Sequence, residues 1–306
     1  MYEMKKTNVE QHVHILDCTL RDGAYIIDAH FGAPALKGII KRMQDANIEI
    51  IECGWLKNQP YEEGTSFFHV PGDIEPYILE KKAGCIYTVM IDWDRYDLDN
   101  LPACDHKTID AVRVVFPYGK HHEGIRVGKQ IEDKGYDVFY QAANTLAYSD
   151  VDLRELAAEV NQTKARAISI VDTFGAMYHK DLDRIMHVLD EELRDDIAIG
   201  FHSHNNQQLS FALSIHFVEQ MLASSDRTII VDASLCGMGR GAGNATTELI
   251  ANYLNRNQLG HYDMDMIMDA IDTYMNPFQE KYTWGYSTPY FIAGMYCCHV
   301  NNIAYL

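Results

Sequence analysis

Two short stretches of the sequence place ionisable side chains at the ends of apolar runs. The stretch LDCTLRDG follows the run VHI and brings Asp17, Arg21 and Asp22 within six positions. Charged groups so close to buried backbone are costly unless they are paired or bind a metal. The stretch GFHSHNN contains His202 and His204, and residues i and i+2 of a strand point to the same face. Since imidazole and carboxylate groups bind divalent cations, Asp22, His202 and His204 are the predicted metal ligands.

The three predicted ligands narrow the choice of metal but do not identify the reaction. Two histidines and one carboxylate leave about half of an octahedral shell free, which suits a substrate that chelates through two oxygens. Mn or Mg is the preferred prediction, with Zn, Co or Fe(II) as alternatives. Non-haem iron oxygenases use the same ligand set, so the ligands do not by themselves name the chemistry.

The elements that must position these residues are visible as apolar runs. Eight β-branched or apolar runs start at Val13, Ile48, Gly84, Ile109, Tyr136, Arg166, Asp196 and Thr228. The segments between them repeat apolar residues every three or four positions, as amphipathic helices do. Each unit averages about 31 residues, which matches eight βα units in about 250 residues. We therefore predict a TIM (β/α)8 barrel over residues 1–254, with a doubly wound open sheet as the main alternative.

The last part of the chain is longer than an eighth helix requires. Residues 255–306 contain the stretch QEKYTWGYSTPYFIAGMYCCHVNN, and we predict a helical extension packed on the barrel. Its apolar, tyrosine-rich character also suggests a homodimer contact. No Pro- or Ser-rich linker separates a second domain.

Composition excludes several classes of partner. Lys and Arg total 26 against 44 acidic residues, a formal charge of −18, which repels nucleic acid and anionic lipid. Seven cysteines without a CxxC pair indicate reduced thiols and a cytoplasmic protein. The sequence contains no run of about 18 apolar residues, so no membrane span is predicted.

A glycine-rich stretch, CGMGRGAGNATTEL, follows the eighth predicted strand. Gly239 and Gly241 allow close approach of backbone to a ligand, and Asn244 can cap the helix that follows. The stretch also matches a GxGxxA dinucleotide fingerprint, but that fingerprint belongs after the first strand of a βαβ unit. A tight turn without a ligand is the structural alternative.

Taken together, LDCTLRDG, IIECG, GFHSHNN and GMGRGAGNATTE resemble the DRE-TIM metallolyase superfamily, in order and spacing, over nearly the whole barrel. The resemblance implies that Asp22, His202 and His204 bind the metal, with Asn244 a ligand in some members. It also implies that Arg21 stabilises an enolate oxygen.

Further roles follow from the same resemblance. Glu52 would hold the arginine in place, and Asp172 and Thr173 would face the substrate carboxylate, although a helix cap and a strand-end polar pair explain these two equally well. Asp17 is interpreted as structural. Within the superfamily the stretches ASLCGMGRGAGNA and WGYSTPYF favour the 4-hydroxy-2-oxovalerate aldolase branch, in which Tyr286 resembles a tyrosine near the active site.

The general base departs from the pattern of that branch. The aldolases place a histidine three residues after the metal aspartate, and here this position is Tyr25. A tyrosine with a pKa near 10 is a poor base at neutral pH. Tyr25, His30 and Tyr286 are the candidates, and each has an alternative role in positioning or packing.

The predicted activity is divalent-metal-dependent retro-aldol cleavage of a 4-hydroxy-2-oxo acid to pyruvate and an aldehyde, with a substrate other than 4-hydroxy-2-oxovalerate. One alternative is a Claisen-type synthase that joins an acyl-CoA to a 2-oxo acid, or an enzyme like HMG-CoA lyase. Another is a metal-binding barrel that has lost its catalytic base. The resemblance also allows an aldehyde dehydrogenase partner, which the altered C-terminal sequence disfavours.

Overall fold

The apolar runs of the sequence form the strands of one parallel sheet. The computed structural model describes residues 12–303, and the strands in this part of the chain are Val13–Asp17 (β1), Ile50–Leu56 (β2), Phe67–Phe68 (β3), Ile86–Asp92 (β4), Ala111–Phe116 (β5), Asp137–Ala142 (β6), Ala167–Asp172 (β7), Ala198–Ser203 (β8) and Ile229–Ala233 (β9). All except β3 form a closed parallel ring, because β1 pairs with both β2 and β9. The predicted TIM barrel is confirmed, and each predicted run overlaps one strand of the ring.

Helices surround this ring. Those in the described residues are Thr19–Asp22 (α1), Ala24–Ile27 (α2), Ala33–Asp45 (α3), His121–Glu132 (α4), Asp150–Val160 (α5), His179–Glu192 (α6), Ser210–Ser224 (α7), Thr247–Arg256 (α8), Met264–Ala270 (α9), Asn276–Gln279 (α10) and Thr288–Met295 (α11). Helices α3 to α8 each bury an apolar face. The 3.6-residue spacing of apolar positions in the sequence therefore becomes the outer layer of the barrel.

Two connections differ from the regular βα alternation. The link from β2 to β4 contains the 3-10 turn Pro71–Tyr77, and the link from β4 to β5 contains the 3-10 turn Leu98–Asn100. Pro76 lies inside the first of these turns, where it offers no N–H for an α-helical hydrogen bond. The fold is thus a (β/α)8 barrel in which short 3-10 turns occupy two of the helix positions.

The barrel encloses a small apolar layer that is separate from the larger core under the helices. Its buried members come from the strands and from the residue after β1, namely Leu16, Cys18, Ile50, Ala111, Phe139, Ala167, Ala198 and Ile230. Towards the carboxyl ends of the strands the interior becomes polar, and Arg113 of β5 is fully buried there. The barrel interior is therefore apolar in one layer and charged in the next.

Strand β2 is irregular where it approaches the charged layer. Its pairing with β4 shifts between Glu52 and Trp55, and Gly54 has a φ of +151°. A Cβ at Gly54 would lie 2.2 Å from the carbonyl oxygen of Ser66, so a side chain does not fit. Residues three apart on a regular strand face opposite sides, and the irregularity lets Glu52 and Trp55 both contact Arg21.

The residues after α8 are helical, as predicted. Helix α9 packs on α3, and a π-helical segment, Ile271–Met275, joins it to α10. Further along, the indole N–H of Trp284 donates to the carbonyl oxygen of Cys236 at 2.9 Å. The division of the chain at residue 254 stays a prediction. Within residues 12–303, none of the helices has both the length and the apolar character that a membrane span requires.

Glu49 is a hydrogen-bonded carboxyl group at the amino-terminal end of the barrel, and its protonation makes the stability of the fold depend on pH. Its carboxylate accepts hydrogen bonds from the backbone N–H of Ile15 at 3.0 Å and from the hydroxyl of Tyr262 at 3.1 Å. Burial raises the pKa of Glu49 from about 4.5 to about 7. The folded protein therefore keeps a proton that the unfolded chain releases, and the free energy of unfolding falls as pH rises between these values.

We expect Glu49→Gln to flatten this pH dependence, because the amide has no proton to release. Between about pH 4.5 and about pH 7 the free energy of unfolding of the wild type should fall by at most about 3 kcal/mol more than that of the variant. Urea denaturation at both pH values measures it, with the exposed Glu63→Gln as control. If Glu49→Gln has the same pH dependence of the free energy of unfolding as the wild type, the raised pKa of Glu49 is contradicted.

Candidate active site

Asp22, His202 and His204 meet at the carboxyl-terminal mouth of the barrel. Asp22 ends α1, His202 lies on β8, and His204 directly follows that strand. All three are buried, and their ligand atoms lie within 4.8 Å of one another. The two imidazole rings are 5.0 Å apart between centroids and nearly perpendicular. The structure thus brings together the three residues predicted as metal ligands.

The unpaired atoms of this cluster fit a divalent cation. Nδ1 of His204 and Oδ1 of Asn244 are buried and have no hydrogen-bond partner among residues 12–303. Orphaned buried atoms of this kind cost about 1–3 kcal/mol each unless something binds them. The Asn244 amide nitrogen donates a hydrogen bond to Oδ2 of Asp22 at 2.6 Å. The amide oxygen is therefore the atom of Asn244 that is free to coordinate a metal.

The electrostatics of the cluster also suit metal binding. Burial lowers the pKa of His204 to about 3, so its imidazole is neutral and keeps a lone pair at neutral pH. Burial alone would raise the pKa of Asp22, but the Arg21 guanidinium and the two imidazoles hold it well below its usual range. A carboxylate and two neutral imidazoles are the protonation states that a metal requires.

Arg21 is held between two carboxylates. Its Nε donates to Oε2 of Glu52 at 2.8 Å and its Nη1 donates to Oδ1 of Asp22 at 2.6 Å. The indole N–H of Trp55 donates to the backbone carbonyl of Arg21 at 3.1 Å. The side-chain hydrogen bonds of Arg21 within residues 12–303 come from Nε and Nη1, which leaves Nη2 without one, and Arg21 lines the cavity described below. The pairing predicted between Glu52 and Arg21 is present, and one nitrogen of the guanidinium stays free for a ligand.

Sequence reasoning missed a second arginine behind this group. Arg113 is fully buried and donates from Nη1 to Oε2 of Glu52 at 2.8 Å. Its Nη2 donates to Oε1 of Gln141 at 2.8 Å and also to Oδ2 of Asp232. The same oxygen of Asp232 lies 3.0 Å from Nδ1 of His202.

The signal for these residues was present in the sequence, because AVRVVF and IIVDA each place one charged residue inside an apolar strand. Asp22, Arg21, Glu52, Arg113 and Asp232 form a continuous set of ion pairs. With neutral imidazoles its formal charge is two guanidiniums minus three carboxylates, or −1. A divalent cation would reverse the sign of this charge and favour an anionic substrate.

A cavity of about 140 Å³ opens above the cluster. Besides the residues already described it is lined by Tyr25, Asp92, Thr173 and Arg240, among others. Tyr25 is 48% exposed, but partial desolvation of its hydroxyl and the nearby Asp22 carboxylate raise its pKa, so at neutral pH the side chain is a phenol that can donate a hydrogen bond. Of the three candidate bases, Tyr25 lines this cavity, whereas His30 and Tyr286 are not among its lining residues.

The other two candidates lie elsewhere. His30 is exposed, with its Nε2 3.7 Å from a carboxylate oxygen of Glu62. Tyr286 is 61% exposed and lines a different cavity of about 350 Å³, between the glycine-rich stretch and the C-terminal region. Trp284 lines that second cavity as well.

The side chains of Asp172 and Thr173 have different surroundings in the structure. Asp172 is buried and its two oxygens accept backbone N–H groups of Ala176 at 2.8 Å and Met177 at 3.1 Å. It is not among the lining residues of the central cavity, whereas Thr173 is. These contacts give Asp172 a structural role in the loop after β7, but it does not cap α6, whose N-cap is Tyr178. Thr173 accepts the N–H of Asn144 at 2.6 Å and keeps its place at the cavity.

The glycines of the predicted loop are required by close packing. A Cβ at Gly239 would lie 2.4 Å from the amide nitrogen of Asn244 and 2.6 Å from Oδ2 of Asp22. Gly241 has a φ of +65°, and a Cβ there would lie 2.7 Å from Oδ1 of Asn206. Neither glycine is among the lining residues of the central cavity, so their observed role is to let the loop approach the cluster.

A closed parallel barrel with a candidate metal centre and an ion-paired arginine at its carboxyl-terminal mouth defines a barrel enzyme. Residues 121–274, half of the chain, match the HMGL-like family. The chain belongs to this family, which is a family of enzymes, and it is a lyase of the aldolase type.

Curated relatives agree with this assignment. The chain is 26% identical over 284 residues to 4-hydroxy-2-oxovalerate aldolase of Geobacillus genomosp. 3, covering 89% of this chain and 79% of that protein. It is 24% identical over 278 residues to oxaloacetate decarboxylase of Mycobacterium tuberculosis, covering 87% and 77%. Both relatives are named as enzymes, which agrees with the assignment of this chain to a family of enzymes.

Solved structures are similar in fold. The N-terminal domain of a Bacteroides vulgatus protein described as an aldolase superposes with a TM-score of 0.81 at 24% identity, covering 95% of both chains. The carboxyl transferase domain of Rhizobium etli pyruvate carboxylase gives 0.71 at 17% identity, covering 95% of this chain and 52% of that chain. HMG-CoA lyase from Brucella melitensis gives 0.65 at 15% identity, covering 89% and 100%.

Asp232 tests how the metal ligands are positioned. We expect Asp232→Asn to weaken Mn²⁺ binding by about 10- to 100-fold, because the carboxylate orients the His202 imidazole and raises its basicity. Calorimetric titration measures the affinity, and thermal unfolding reports separately on the fold. The control is Asp183→Asn, which removes a carboxylate 2.6 Å from His216 at the surface. Equal affinity in wild type and Asp232→Asn would show that the Asp232 carboxylate does not support metal binding by His202.

Proposed function

We propose that the chain is a divalent-metal-dependent lyase that breaks the C3–C4 bond of a 4-substituted 2-oxo acid and releases pyruvate. The observation that carries this proposal is the joint placement of Asp22, His202, His204 and the half-free Arg21 guanidinium at one buried cavity. Asp22, His202 and His204 would hold the cation, with Asn244 as a fourth ligand. The bound cation would supply Lewis-acid polarisation of the 2-oxo group.

The residues of the chain divide the remaining work. Arg21 directs its free Nη2 towards the oxygen on which negative charge develops when the C3–C4 electron pair moves to C3. Glu52 keeps the guanidinium in this orientation. In a retro-aldol reaction the 4-hydroxyl loses its proton, the aldehyde leaves, and the pyruvate enolate takes a proton at C3.

Two residues at the cavity suit these proton transfers. Asp92 is a carboxylate paired with Lys57 at 3.2 Å, and in this scheme it accepts the hydroxyl proton. Tyr25 is a phenol, and in this scheme it donates its proton to C3 of the enolate. The proton held by Asp92 then returns to Tyr25, so both groups end the cycle in their starting states. In this scheme Asp92 takes the role of general base, which the aldolase branch gives to a histidine at the position of Tyr25.

A panel of 4-hydroxy-2-oxo acids tests the activity. We expect Mn²⁺-dependent pyruvate release from at least one member, abolished by a chelator and followed with coupled lactate dehydrogenase. Arg21→Met should lower kcat by about 10²- to 10³-fold, because one fixed positive charge is lost at the developing oxyanion. Asp92→Asn should lower kcat while the metal content is retained. Absence of release from every member by metal-loaded protein would refute the aldolase activity.

Arg240 favours a second reaction at the same site. Its guanidinium packs over the ring of Tyr25 at 5.1 Å and donates to Nδ1 of His299 at 3.0 Å. No carboxylate within residues 12–303 lies in ion-pair distance of it, yet it lines the cavity. An unpaired arginine there suits a second anionic group on the substrate, such as the 4-carboxylate of oxaloacetate.

Decarboxylation and retro-aldol cleavage are closely related here, since both break the C3–C4 bond and leave the pyruvate enolate. They differ in the fragment that leaves, which is CO₂ in one reaction and an aldehyde in the other. The similarity to an oxaloacetate decarboxylase supports the same chemistry. Arg240 would then select substrates by the charge at C4.

We expect Arg240→Met to raise KM for oxaloacetate by about 10- to 100-fold, through loss of one charge-assisted hydrogen bond. The KM for 4-hydroxy-2-oxo acids with uncharged alkyl groups should change little. Steady-state pyruvate release measures both, and the exposed Arg95→Met serves as control. An equal change for charged and uncharged substrates would exclude this role.

A further inference from the structure

Two helices on the outside of the barrel bring four potential metal ligands together. His121 and His122 are the first two residues of α4, and Glu155 and Glu159 lie one turn apart on one face of α5. One ligand atom from each side chain lies within 4.8 Å of all the others. This outer cluster is separate from the central one, whose ligands lie at the barrel mouth.

His121 is the observation that distinguishes the cluster from an ordinary surface ion pair. Its side chain is only 7% exposed, and both ring nitrogens are buried with no hydrogen-bond partner within residues 12–303. Burying such a group without a partner costs about 1–3 kcal/mol. Its ring lies 4.1 Å from that of His122 between centroids, and one of its ring nitrogens lies within 4.8 Å of a carboxylate oxygen of each glutamate.

The other members are already arranged around that point. Nδ1 of His122 hydrogen-bonds to Oε1 of Glu159, and its Nε2 lies 3.8 Å from Oε1 of Glu155. The nearby Lys120 is occupied elsewhere, because its Nζ pairs with Glu123 at 2.8 Å. The two carboxylates are thus left to balance a cation at the cluster.

We propose that the outer cluster is a second metal site, formed by His121, His122, Glu155 and Glu159, that takes a divalent transition metal, with Zn²⁺ as the best fit. Two imidazoles and two carboxylates match the four-coordinate donor sets of zinc, and the two negative charges cancel the charge of the ion. A bound ion supplies the missing partner of His121. It also ties the start of α4 to the middle of α5, which makes the site structural and independent of the activity proposed above.

Zinc stoichiometry tests this site on the whole chain of 306 residues. A variant without the central ligands, Asp22→Ala with His204→Ala, should bind one equivalent of Zn²⁺ in a titration against a chromogenic chelator. Adding His122→Ala should weaken this binding by at least about 10-fold, since loss of a direct ligand costs no less than loss of a supporting residue. In the wild-type background His122→Ala should lower the number of equivalents from two to one, which covers the case of a misfolded central variant.

The matched control is His187→Ala on α6, where an exposed histidine lies 3.3 Å from Glu191 and belongs to neither candidate metal cluster of residues 12–303. This control should leave the zinc titration unchanged. Cobalt substitution adds an independent readout, since four-coordinate Co²⁺ absorbs in the visible range and the signal should disappear in His122→Ala. The proposal is overturned if stoichiometry is the same with and without His122, or if His187→Ala has the same effect.

Discussion

A buried set of alternating charges inside the barrel is the constraint on which the site depends. Asp22, Arg21, Glu52, Arg113 and Asp232 are each paired with the next, and the set reaches the imidazole of His202. Charges taken out of water are costly, and the cost is offset only when each has a partner in good geometry. The position of each of these side chains is therefore fixed by its neighbours, and the candidate metal ligands have little freedom to move.

Closure of the ring makes this arrangement achievable. Strand β1 hydrogen-bonds to β9, so a residue near position 20 meets residues beyond position 200. The irregular pairing of β2 turns Glu52 and Trp55 to the same arginine. Gly239 lets the loop after β9 come within contact of Asp22, where any side chain would collide. Gly54 and Gly239 are thus two positions near the charged layer where the close approach of neighbouring groups excludes a side chain.

The cavity divides into a part that suits bond cleavage and a part that suits recognition of the leaving fragment. Arg21 and the metal cluster face the 2-oxo acid portion in the proposed reaction, and this half matches the motifs of the superfamily. The other half contains Tyr25 and Arg240, which contact each other and, through His299, the C-terminal region. Because Tyr25 and Arg240 line the same cavity as Arg21 and Asp22, they are placed to contact the C4 end of a substrate in the proposed reaction.

The sequence by itself determined the barrel, its strands and the residues that resemble metal ligands, because apolar periodicity and short polar motifs are local properties. It could not reveal that Arg113 and Asp232 complete the charged set, since each is a single residue in an apolar strand whose partners are set by ring closure. Nor could it separate Asp172 from Thr173, or Tyr25 from Tyr286, because facing the cavity depends on loop geometry. The pairing of α4 with α5 that creates the outer cluster is likewise a product of packing between helices distant in sequence.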